Sequence, residues 1–420
     1  MKIGTAQKST ASVFDVDREH VGVLDGVRAI AVLCVLWFHF WQQTWLMPVY
    51  QTPFLARLGI ERIYPDMFRR CGYLCVDLML LLSAFVLYLP YARNRFCGTP
   101  IERKATFFQK RFARIVPSYL LLVLVTFFVS LFEGFYANRP GFAFKDLLTH
   151  LTFTEMLFND TYLFSGTSGV VWTVCIEVGL YLIFPWLAKA FQKRPLLVYA
   201  GMMAIGAGFT YAIALHVSEP RVMVNRFLTF LPVFANGMLA AHLYTRYAVR
   251  VKRKALPSIL GTLVLIGSAI LLVRLFSMCA AAGSEQQTWQ LNWRIILSFA
   301  FTAFLLGGAI SVRPVRKLLD NRVLAALAAV SYNLYLWHQW LMVRLRVSFG
   351  AQSGKDIADM GANTQWALTL VALAVALIFA AVLTYGFERP VSRLILHNRK
   401  EKEHAFHQQN EQRVLDENRL

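Results

Sequence analysis

Long apolar stretches recur along this chain of 420 residues, and short polar segments separate them. A helix needs about 20 predominantly apolar residues to cross a bilayer, and ten of the stretches are long enough. We therefore predict an all-α, polytopic membrane protein with about ten transmembrane helices. The predicted spans are residues 27–47, 72–90, 115–132, 170–191, 196–215, 227–247, 256–278, 291–312, 323–345 and 366–387.

The overall composition supports the same class of protein. Hydrophobic residues make up 57% of the chain and charged residues 16%, and the mean hydropathy is +0.48. In soluble domains about a quarter of the residues are charged. This chain therefore carries too little charge to cover the surface of a soluble protein of its length.

The net charge of +19 is unevenly distributed along the chain. If the N-terminus lies in the cytoplasm, the cytoplasmic segments carry 27 Lys and Arg residues and the outer connections carry 10. Such an excess is the usual signature of membrane topology, so we do not attribute the charge to nucleic-acid binding. We predict a multi-pass protein of the cell membrane, expected to be a bacterial plasma membrane, with both termini in the cytoplasm.

The polar ends of the chain define its predicted organisation. We expect a cytoplasmic N-terminal segment over residues 1–20, a membrane domain over 21–396 and a cytoplasmic C-terminal tail over 397–420. The longest connection between predicted spans, residues 133–169, would lie outside the membrane on the opposite side.

Two ionisable residues of the first predicted helix share one face. Arg28 and His39 are eleven residues apart, so their directions differ by about 20° and the helix rise separates them by about 16.5 Å. Charged residues within spans are costly and are functional candidates. The alternatives are an arginine that reaches the helix end and a hydrogen-bonded histidine that only packs.

Further polar residues lie in or beside other predicted spans. Arg111 and Arg114 stand at the inner edge of the third span, where guanidinium groups can bind phosphate or simply anchor the loop. Asp77, Glu177 and His338 lie toward the outer side of their spans. Together these three predict an outward-facing polar cavity, although each can also be a contact between helices. No spacing typical of a metal site appears.

Six short motifs stand in chain order between residues 21 and 396. They are LDGVRAIAVL (24–33) with WFH (37–39), GYLCVD (72–77) with LLSAF (81–85), RFAR (111–114) before IVPSY (115–119), VWTVCIE (171–177) with LYLIFP (180–185), SYNLYLWH (331–338) and FERP (387–390). Together they resemble the acyltransferase-3 family of integral membrane O-acyltransferases. Two positions depart from the family pattern: Ala84 stands where glycine is usual, and Val178 where a second acidic residue is usual.

The resemblance implies an enzyme that takes an acyl group, often acetyl, from acyl-coenzyme A (acyl-CoA) in the cytoplasm. The acceptor would be a hydroxyl group of a cell-envelope glycan, a lipid-linked sugar or a secondary metabolite, as in O-acetylation of a polysaccharide. By the same analogy, His39 is the catalytic base, and Arg28, Arg111 and Arg114 bind the donor. No metal is implied.

The remaining polar residues receive roles consistent with this resemblance. Glu177, which belongs to the motif with Trp172, is a second catalytic candidate, while Asp77 and His338 are candidates for binding the acceptor. Two mechanisms stay open for His39, because an imidazole can deprotonate the acceptor hydroxyl or carry the acyl group covalently.

A transporter or flippase of envelope glycan or lipid precursors is the alternative function. Such proteins also hold ionisable residues within their spans, but the sequence shows no internal repeat of the kind many transporters contain. A non-catalytic interaction protein would need neither Arg28 nor His39. Transfer or hydrolysis of acyl-CoA by the purified protein would separate the three classes.

Overall fold

The computed structural model describes residues 21–44, 66–217, 223–248 and 254–397. The regular structure in these ranges is helical throughout, which confirms the predicted all-α class. The predicted N-terminal segment 1–20 and all but the first residue of the predicted tail 397–420 lie outside the described residues.

Fourteen α-helices follow one another in the described ranges. The first seven are α1 (Gly22–Thr44), α2 (Asp66–Cys71), α3 (Cys75–Cys97), α4 (Lys104–Phe132), α5 (Pro140–Leu151), α6 (Asn159–Leu163) and α7 (Trp172–Lys193). The last seven are α8 (Pro195–His216), α9 (Leu231–Leu243), α10 (Ala255–Ala281), α11 (Gln286–Ile310), α12 (Arg313–Leu319), α13 (Arg322–Ser353) and α14 (Ala362–Leu383).

Within the described residues, nine helical segments are long and apolar enough to cross a membrane, which confirms a multi-pass membrane protein. They coincide with nine of the ten predicted spans. The exception is span 323–345, which lies within the 32-residue helix α13. At 1.5 Å per residue α13 is about 48 Å long, more than a bilayer core of about 30 Å requires. Its Asn333 and His338 are 0% exposed, so α13 is less apolar than the others yet keeps these polar groups away from lipid.

Five of the long helices enclose a common interior. Helix α1 packs against α3, α3 against α7, α7 against α4, α4 against α13, and α13 again against α1. This closed ring is supported from outside by α9, which packs on α3, and by α14, which packs on α13. Every predicted site residue belongs to one of these five helices.

Two glycines allow close contacts of α1 with its neighbours. A Cβ atom on Gly26 would lie 1.9 Å from the carbonyl oxygen of Leu319 in α12, and one on Gly72 would lie 2.1 Å from the carbonyl oxygen of Cys34 in α1. Small residues let helix backbones approach each other in this way. The helix that carries Arg28 and His39 is therefore held close to its neighbours near its start and near its middle.

The outer helices present apolar side chains to their surroundings. On α10, Leu256, Leu263 and Ile270 are 59% to 68% exposed and stand seven residues apart. This spacing places them along one face of the helix. A continuous exposed apolar face is what a lipid environment requires, and it agrees with the assignment of α10 as a transmembrane helix.

The connection between α4 and α7 is held by a hydrogen-bonded network at one end of the bundle. Asp146 accepts hydrogen bonds from the hydroxyl groups of Tyr136 (2.5 Å) and Ser165 (3.0 Å). The Nδ1 atom of His150 donates to the carbonyl oxygen of Asp146 (2.7 Å), and its Nε2 lies 2.8 Å from Thr167 Oγ1. The network fixes residues 165–167 just before α7 begins.

Candidate active site

An open polar pocket lies at the end of the bundle where α1 and α13 begin. Its volume is about 460 Å³. It is lined by Asp25, Arg28, Lys110, Arg111, Arg114, Ala325, Ala328, Ala329, Glu388, Arg389 and Ser392. Five basic side chains face two carboxylates there, so the pocket is positively charged, and we call this end of the molecule the basic end.

The three predicted donor-binding arginines meet in this pocket. Arg111 and Arg114 are three residues apart on α4, so they project from the same face of that helix. Arg28 approaches them from the second turn of α1. The structure therefore brings together three guanidinium groups that the sequence separates by more than 80 positions.

A narrow passage continues from the same three arginines into the ring of five helices. It holds about 90 Å³ of space for water-sized molecules. Along α3 its lining extends from Leu87 to Val76, a rise of about 16.5 Å at 1.5 Å per residue. Thr173 of α7 and Tyr335 of α13 line the end that is farther from the arginines.

Glu177 lies midway along this passage and contributes the one carboxylate among its lining residues. The hydroxyl group of Ser83 donates a hydrogen bond of 2.6 Å to Glu177 Oε1. Tyr332, also in the lining, donates to the carbonyl oxygen of Ile115 at 2.9 Å. The middle of the passage thus offers hydroxyl and carboxylate groups, whereas its far end is mostly apolar.

His39 and His338 form a pair of imidazoles beyond the far end of the passage. Their ring centroids are 5.0 Å apart. His39 is partly exposed, and its Nδ1 lies 3.0 Å from Gln42 Oε1 and 3.4 Å from Gln339 Nε2. In the tautomer with the proton on Nδ1, this atom donates to the closer partner, Gln42 Oε1, and Nε2 keeps a lone pair. In that tautomer His39 can act as a general base.

His338 is the buried member of the pair, with 0% exposure. Its Nδ1 donates to the carbonyl oxygen of Tyr335 at 2.6 Å. Within the described residues, its Nε2 has no hydrogen-bond partner. His338 therefore stands behind His39, and the direct contact with an acceptor that the sequence predicts for it stays a prediction.

The passage stops one helical turn short of the histidine pair. Tyr335 lines the passage, and its ring centroid is 5.7 Å from that of His338. Its hydroxyl donates to the carbonyl oxygen of Val170 at 3.4 Å. His39 itself is not in the lining, so Tyr335 separates the passage from the imidazoles.

Asp77 lies apart from these groups. It is 0% exposed, and its Oδ2 accepts a hydrogen bond of 3.0 Å from Nε of Arg294, which is 2% exposed. Arg294 also donates to Thr229 Oγ1 at 2.7 Å and stacks on the Phe230 ring at 4.1 Å. The pair joins α3, α11 and the start of α9. Binding of an acceptor by Asp77 stays a prediction, and in this structure Asp77 faces neither the pocket nor the passage.

Sequence reasoning assigned no role to several residues that the structure places at the site. Gln42 stands three positions after His39, a spacing that puts both on one helix face, so this contact was detectable. Arg294 is a charge within an apolar helix and was detectable by the cost of such a charge. Gln339 and Tyr335 gave no signal of their own, because their positions depend on how α13 packs against α1 and α7.

The chain is similar in sequence to known acyltransferases. Residues 21–385 match the family model whose description is "Acyltransferase domain". "Acyltransferase MdmB" of Streptomyces mycarofaciens is 25% identical over 89% of this chain and 92% of its own length. "Putative acetyltransferase ORF330" of Acidianus two-tailed virus is 24% identical over 74% of this chain and 80% of its own length.

A third relative is longer than this chain. "Putative O-acetyltransferase SACOL0978" of Staphylococcus aureus is 24% identical over 75% of this chain, and the match spans about half (49%) of that protein. No solved structure matches the chain. Because the family model covers most of the sequence and includes all the predicted site residues, the chain belongs to the acyltransferase-3 family and is an acyltransferase.

Proposed function

We propose that this acyltransferase moves an acyl group, usually acetyl, from acyl-CoA to a hydroxyl group of a cell-envelope glycan or lipid-linked sugar. The observation that carries the proposal is the passage, which leads from three arginines to one helical turn short of His338, the residue that pairs with His39. Acyl-CoA carries phosphates at one end and a thioester at the end of a long, thin arm. A charged mouth followed by a narrow passage fits a donor of that shape.

The basic end is proposed to face the cytoplasm, where acyl-CoA is available. The excess of Lys and Arg on this side supports that orientation, which also places both termini in the cytoplasm and suits a bacterial plasma membrane. Guanidinium groups bind phosphate through paired, charge-assisted hydrogen bonds. Arg28, Arg111 and Arg114 would hold the phosphates at the mouth, so that no phosphate has to enter the bilayer core.

The middle of the passage suits the arm of the donor. The arm contains amide groups, and an amide buried without a hydrogen-bond partner costs several kcal/mol. Glu177 can accept an amide N–H, and Ser83 lies next to it. Because Glu177 lies midway and His39 lies beyond the end, we assign the chemical step to His39 and the holding of the arm to Glu177.

The chemistry at His39 can follow either of two routes. In the first, His39 Nε2 takes the proton of the acceptor hydroxyl, whose oxygen attacks the thioester carbon; the C–O bond forms, the C–S bond breaks, and His39 returns the proton to the thiolate. In the second, Nε2 attacks the thioester carbon, the N–C bond forms, and the C–S bond breaks to release the thiolate of CoA. The acceptor oxygen then attacks the acyl carbon, the N–C bond breaks, and the proton of the hydroxyl goes to the thiolate. Both routes require the unprotonated Nε2 that the contact with Gln42 leaves.

The transporter alternative loses its support at this point. Its main support was the presence of ionisable residues within the spans, and in an acyltransferase such residues can serve catalysis and donor binding instead. The lining of the passage also ends at Tyr335, before the histidine pair, as expected for a site that receives one end of a donor.

Donor binding tests the proposal. Arg111→Ala together with Arg114→Ala removes two phosphate-binding groups, each worth about 1.5–3 kcal/mol for a hydrogen bond to a charged group. We expect CoA to bind the purified double variant at least about tenfold more weakly, measured by isothermal titration calorimetry in lipid nanodiscs. Pantetheine, which lacks the nucleotide phosphates, should bind the wild type and the variant equally.

Arg103→Ala is the matched control. Arg103 is an exposed arginine directly before α4, and it does not line the pocket. Equal CoA affinity in the wild type and the double variant would show that Arg111 and Arg114 do not bind the phosphates. The acceptor is tested separately, by comparing the masses of envelope glycans from cells with and without the gene; no acyl-sized difference would contradict the proposed acceptor class.

A further inference from the structure

An aromatic ring lines the far end of the passage, on the side of the histidine pair. Tyr335 is 4% exposed and lines the passage, and its centroid lies 5.7 Å from that of His338 on the other side. The donor's thioester has to come close to this ring if the acyl group is to reach His39. The space next to Tyr335 is therefore the space available to the acyl group.

The hydroxyl group holds the position of this ring. It donates to the carbonyl oxygen of Val170, at 3.4 Å, just before α7 begins. The backbone carbonyl oxygen of Tyr335 accepts a separate hydrogen bond from His338 Nδ1 at 2.6 Å. Displacing the ring would break the contact with Val170, and protein interiors are packed too densely to absorb such a shift at no cost.

The walls beside Tyr335 are apolar and close together. Val76, Met79, Leu80 and Val174 line this part of the passage, with Thr173 as the nearest hydroxyl group. These side chains suit an acyl chain better than they suit an amide or a phosphate. The passage is narrow along its whole length, with about 90 Å³ of space for water-sized molecules, so it suits a thin chain.

We propose that Tyr335 sets the acyl specificity of the enzyme, by closing the passage so that only donors with a short acyl group, of acetyl size, place their thioester beside the histidine pair. The inference rests on the proposed entry of acyl-CoA from the basic end. It adds the residue that selects the length of the acyl group.

The selectivity should have the size that hydrophobic pockets usually provide. One methylene group too many in such a pocket changes binding by about 10- to 200-fold. Replacing Tyr335 with alanine removes the ring and opens space toward His338. The variant should then accept longer chains, with little loss of affinity for each added methylene group.

S-alkyl thioethers of CoA provide a direct test, because they bind like the donor and cannot transfer a group. S-ethyl-CoA has the length of acetyl-CoA, and S-butyl-CoA and S-hexyl-CoA extend it. We expect the wild-type chain in nanodiscs to bind S-butyl-CoA at least about tenfold more weakly than S-ethyl-CoA, measured by calorimetry. Tyr335→Ala should reduce that ratio to about twofold or less.

Two further variants distinguish loss of the Tyr335 ring from loss of its hydroxyl group and from a general change in the passage. Tyr335→Phe keeps the ring and loses only the hydroxyl, so it should keep the wild-type ratio. Tyr332→Ala makes the same change one turn nearer the basic end, in the same lining, and should alter the affinity for all three thioethers equally. If Tyr335→Ala does not fold, Tyr335→Leu fills more of the space and should still lower the ratio.

The possible results distinguish this inference from the proposed function. Binding of S-ethyl-CoA and S-hexyl-CoA with equal affinity by the wild type would overturn the selectivity, and an unchanged ratio in folded Tyr335→Ala would overturn the role of Tyr335. Either result leaves acyl-CoA as the donor. No binding of any CoA compound by the folded wild type would refute the donor and this inference together.

Discussion

Two groups of charged residues lie inside the helical bundle, and their surroundings differ. Arg28, Arg111 and Glu177 line a passage that opens at the basic end. Asp77 and Arg294 are 0% and 2% exposed and bind each other at 3.0 Å. Both groups would be costly in lipid, so charge alone does not rank them. Access to a cavity separates the residues available to a ligand from the residues that hold helices together.

The largest effect is expected at His39, which lies beyond the far end of the passage. His39→Gln keeps a hydrogen-bonding side chain of similar size but removes the base. General bases typically contribute a factor of about 10²–10⁴ to the rate, so we expect transfer to fall by that factor while donor affinity stays unchanged. Initial rates of acyl transfer by the purified protein measure the first quantity, and calorimetry measures the second.

His216→Gln is the control for this substitution, because His216 is an exposed histidine at the end of α8, away from the passage. A folded His39→Gln protein with near-normal transfer would make His39 a packing residue. If the variant is inactive, mass spectrometry of the wild type after a brief exposure to donor asks whether His39 carries the acyl group.

The second largest effect is expected for the buried pair of Asp77 and Arg294. Asp77→Asn removes one charge of a buried pair and leaves Arg294 uncompensated, which usually costs about 3–5 kcal/mol of folding free energy. Replacing both residues, as Asp77→Leu with Arg294→Met, should recover part of that loss. Thermal unfolding in detergent measures the stability, and CoA affinity of the folded fraction should be unchanged in every variant.

The same experiment can show whether Asp77 binds a ligand instead of holding helices together. An Asp77→Asn protein of normal stability that loses acceptor use would place Asp77 at the acceptor site, as the sequence predicts. Loss of stability without loss of CoA affinity would assign the pair to the scaffold. Ser298→Ala on the same helix as Arg294, one turn away, shows how much stability a neutral buried change in α11 costs.

A smaller effect is expected in the connection between α4 and α7. Two buried carboxylates there, those of Asp146 and Glu155, differ in their hydrogen-bond partners. Burial opposes ionisation of Asp146, but hydrogen bonds from His150 and Tyr136 outweigh it and lower its pKa. Glu155 is 1% exposed, and neither of its carboxylate oxygens has a hydrogen-bond partner in the described residues. Burial raises the pKa of Glu155 to about 7.

The sign of the pH dependence follows from this raised pKa. Below pH 4.5, the ordinary pKa, Glu155 is protonated in both states. As the pH rises from there to about 7, the unfolded state loses its proton first, so folding stability falls, and above 7 the loss is complete. We expect Glu155→Gln to unfold near the wild-type temperature at pH 4 and clearly above it at pH 8, a gain of up to about 3 kcal/mol.

Asp160→Asn is the matched control in the same connection. Asp160 is paired with Lys145 at 2.7 Å, and that hydrogen bond lowers its pKa. Losing an exposed pair of this kind costs little, and the small loss should appear at pH 8 rather than the gain expected for Glu155→Gln. Equal unfolding temperatures of Glu155→Gln and the wild type at pH 8 would show that the buried carboxylate has a partner after all.

The fold was largely predictable because apolar length is a local property of the sequence. The predicted first span, 27–47, corresponds to α1 over Gly22–Thr44. Boundaries were less accurate where a helix continues into polar sequence. Helix α4 begins at Lys104, about three turns before the predicted residue 115, because hydropathy does not detect helical turns that carry charged residues.

The site was predictable only where its residues share one helix. The common face of Arg28 and His39 follows from helical periodicity. The contact of His39 with Gln339 joins residues 300 positions apart, and it depends on the packing of α13 against α1. The same holds for the position of Tyr335 and for the pairing of Asp77 with Arg294, since no local pattern encodes which distant helix will cover a given side chain.

The most direct test of the account is an electron cryomicroscopy structure of the chain with S-ethyl-CoA. The account predicts density for the phosphates against Arg28, Arg111 and Arg114, an arm that passes Glu177, and a sulfur atom beside Tyr335 on the side facing the passage. Density for the nucleotide at the opposite end of the bundle, or an arm that leaves the passage empty, would contradict it.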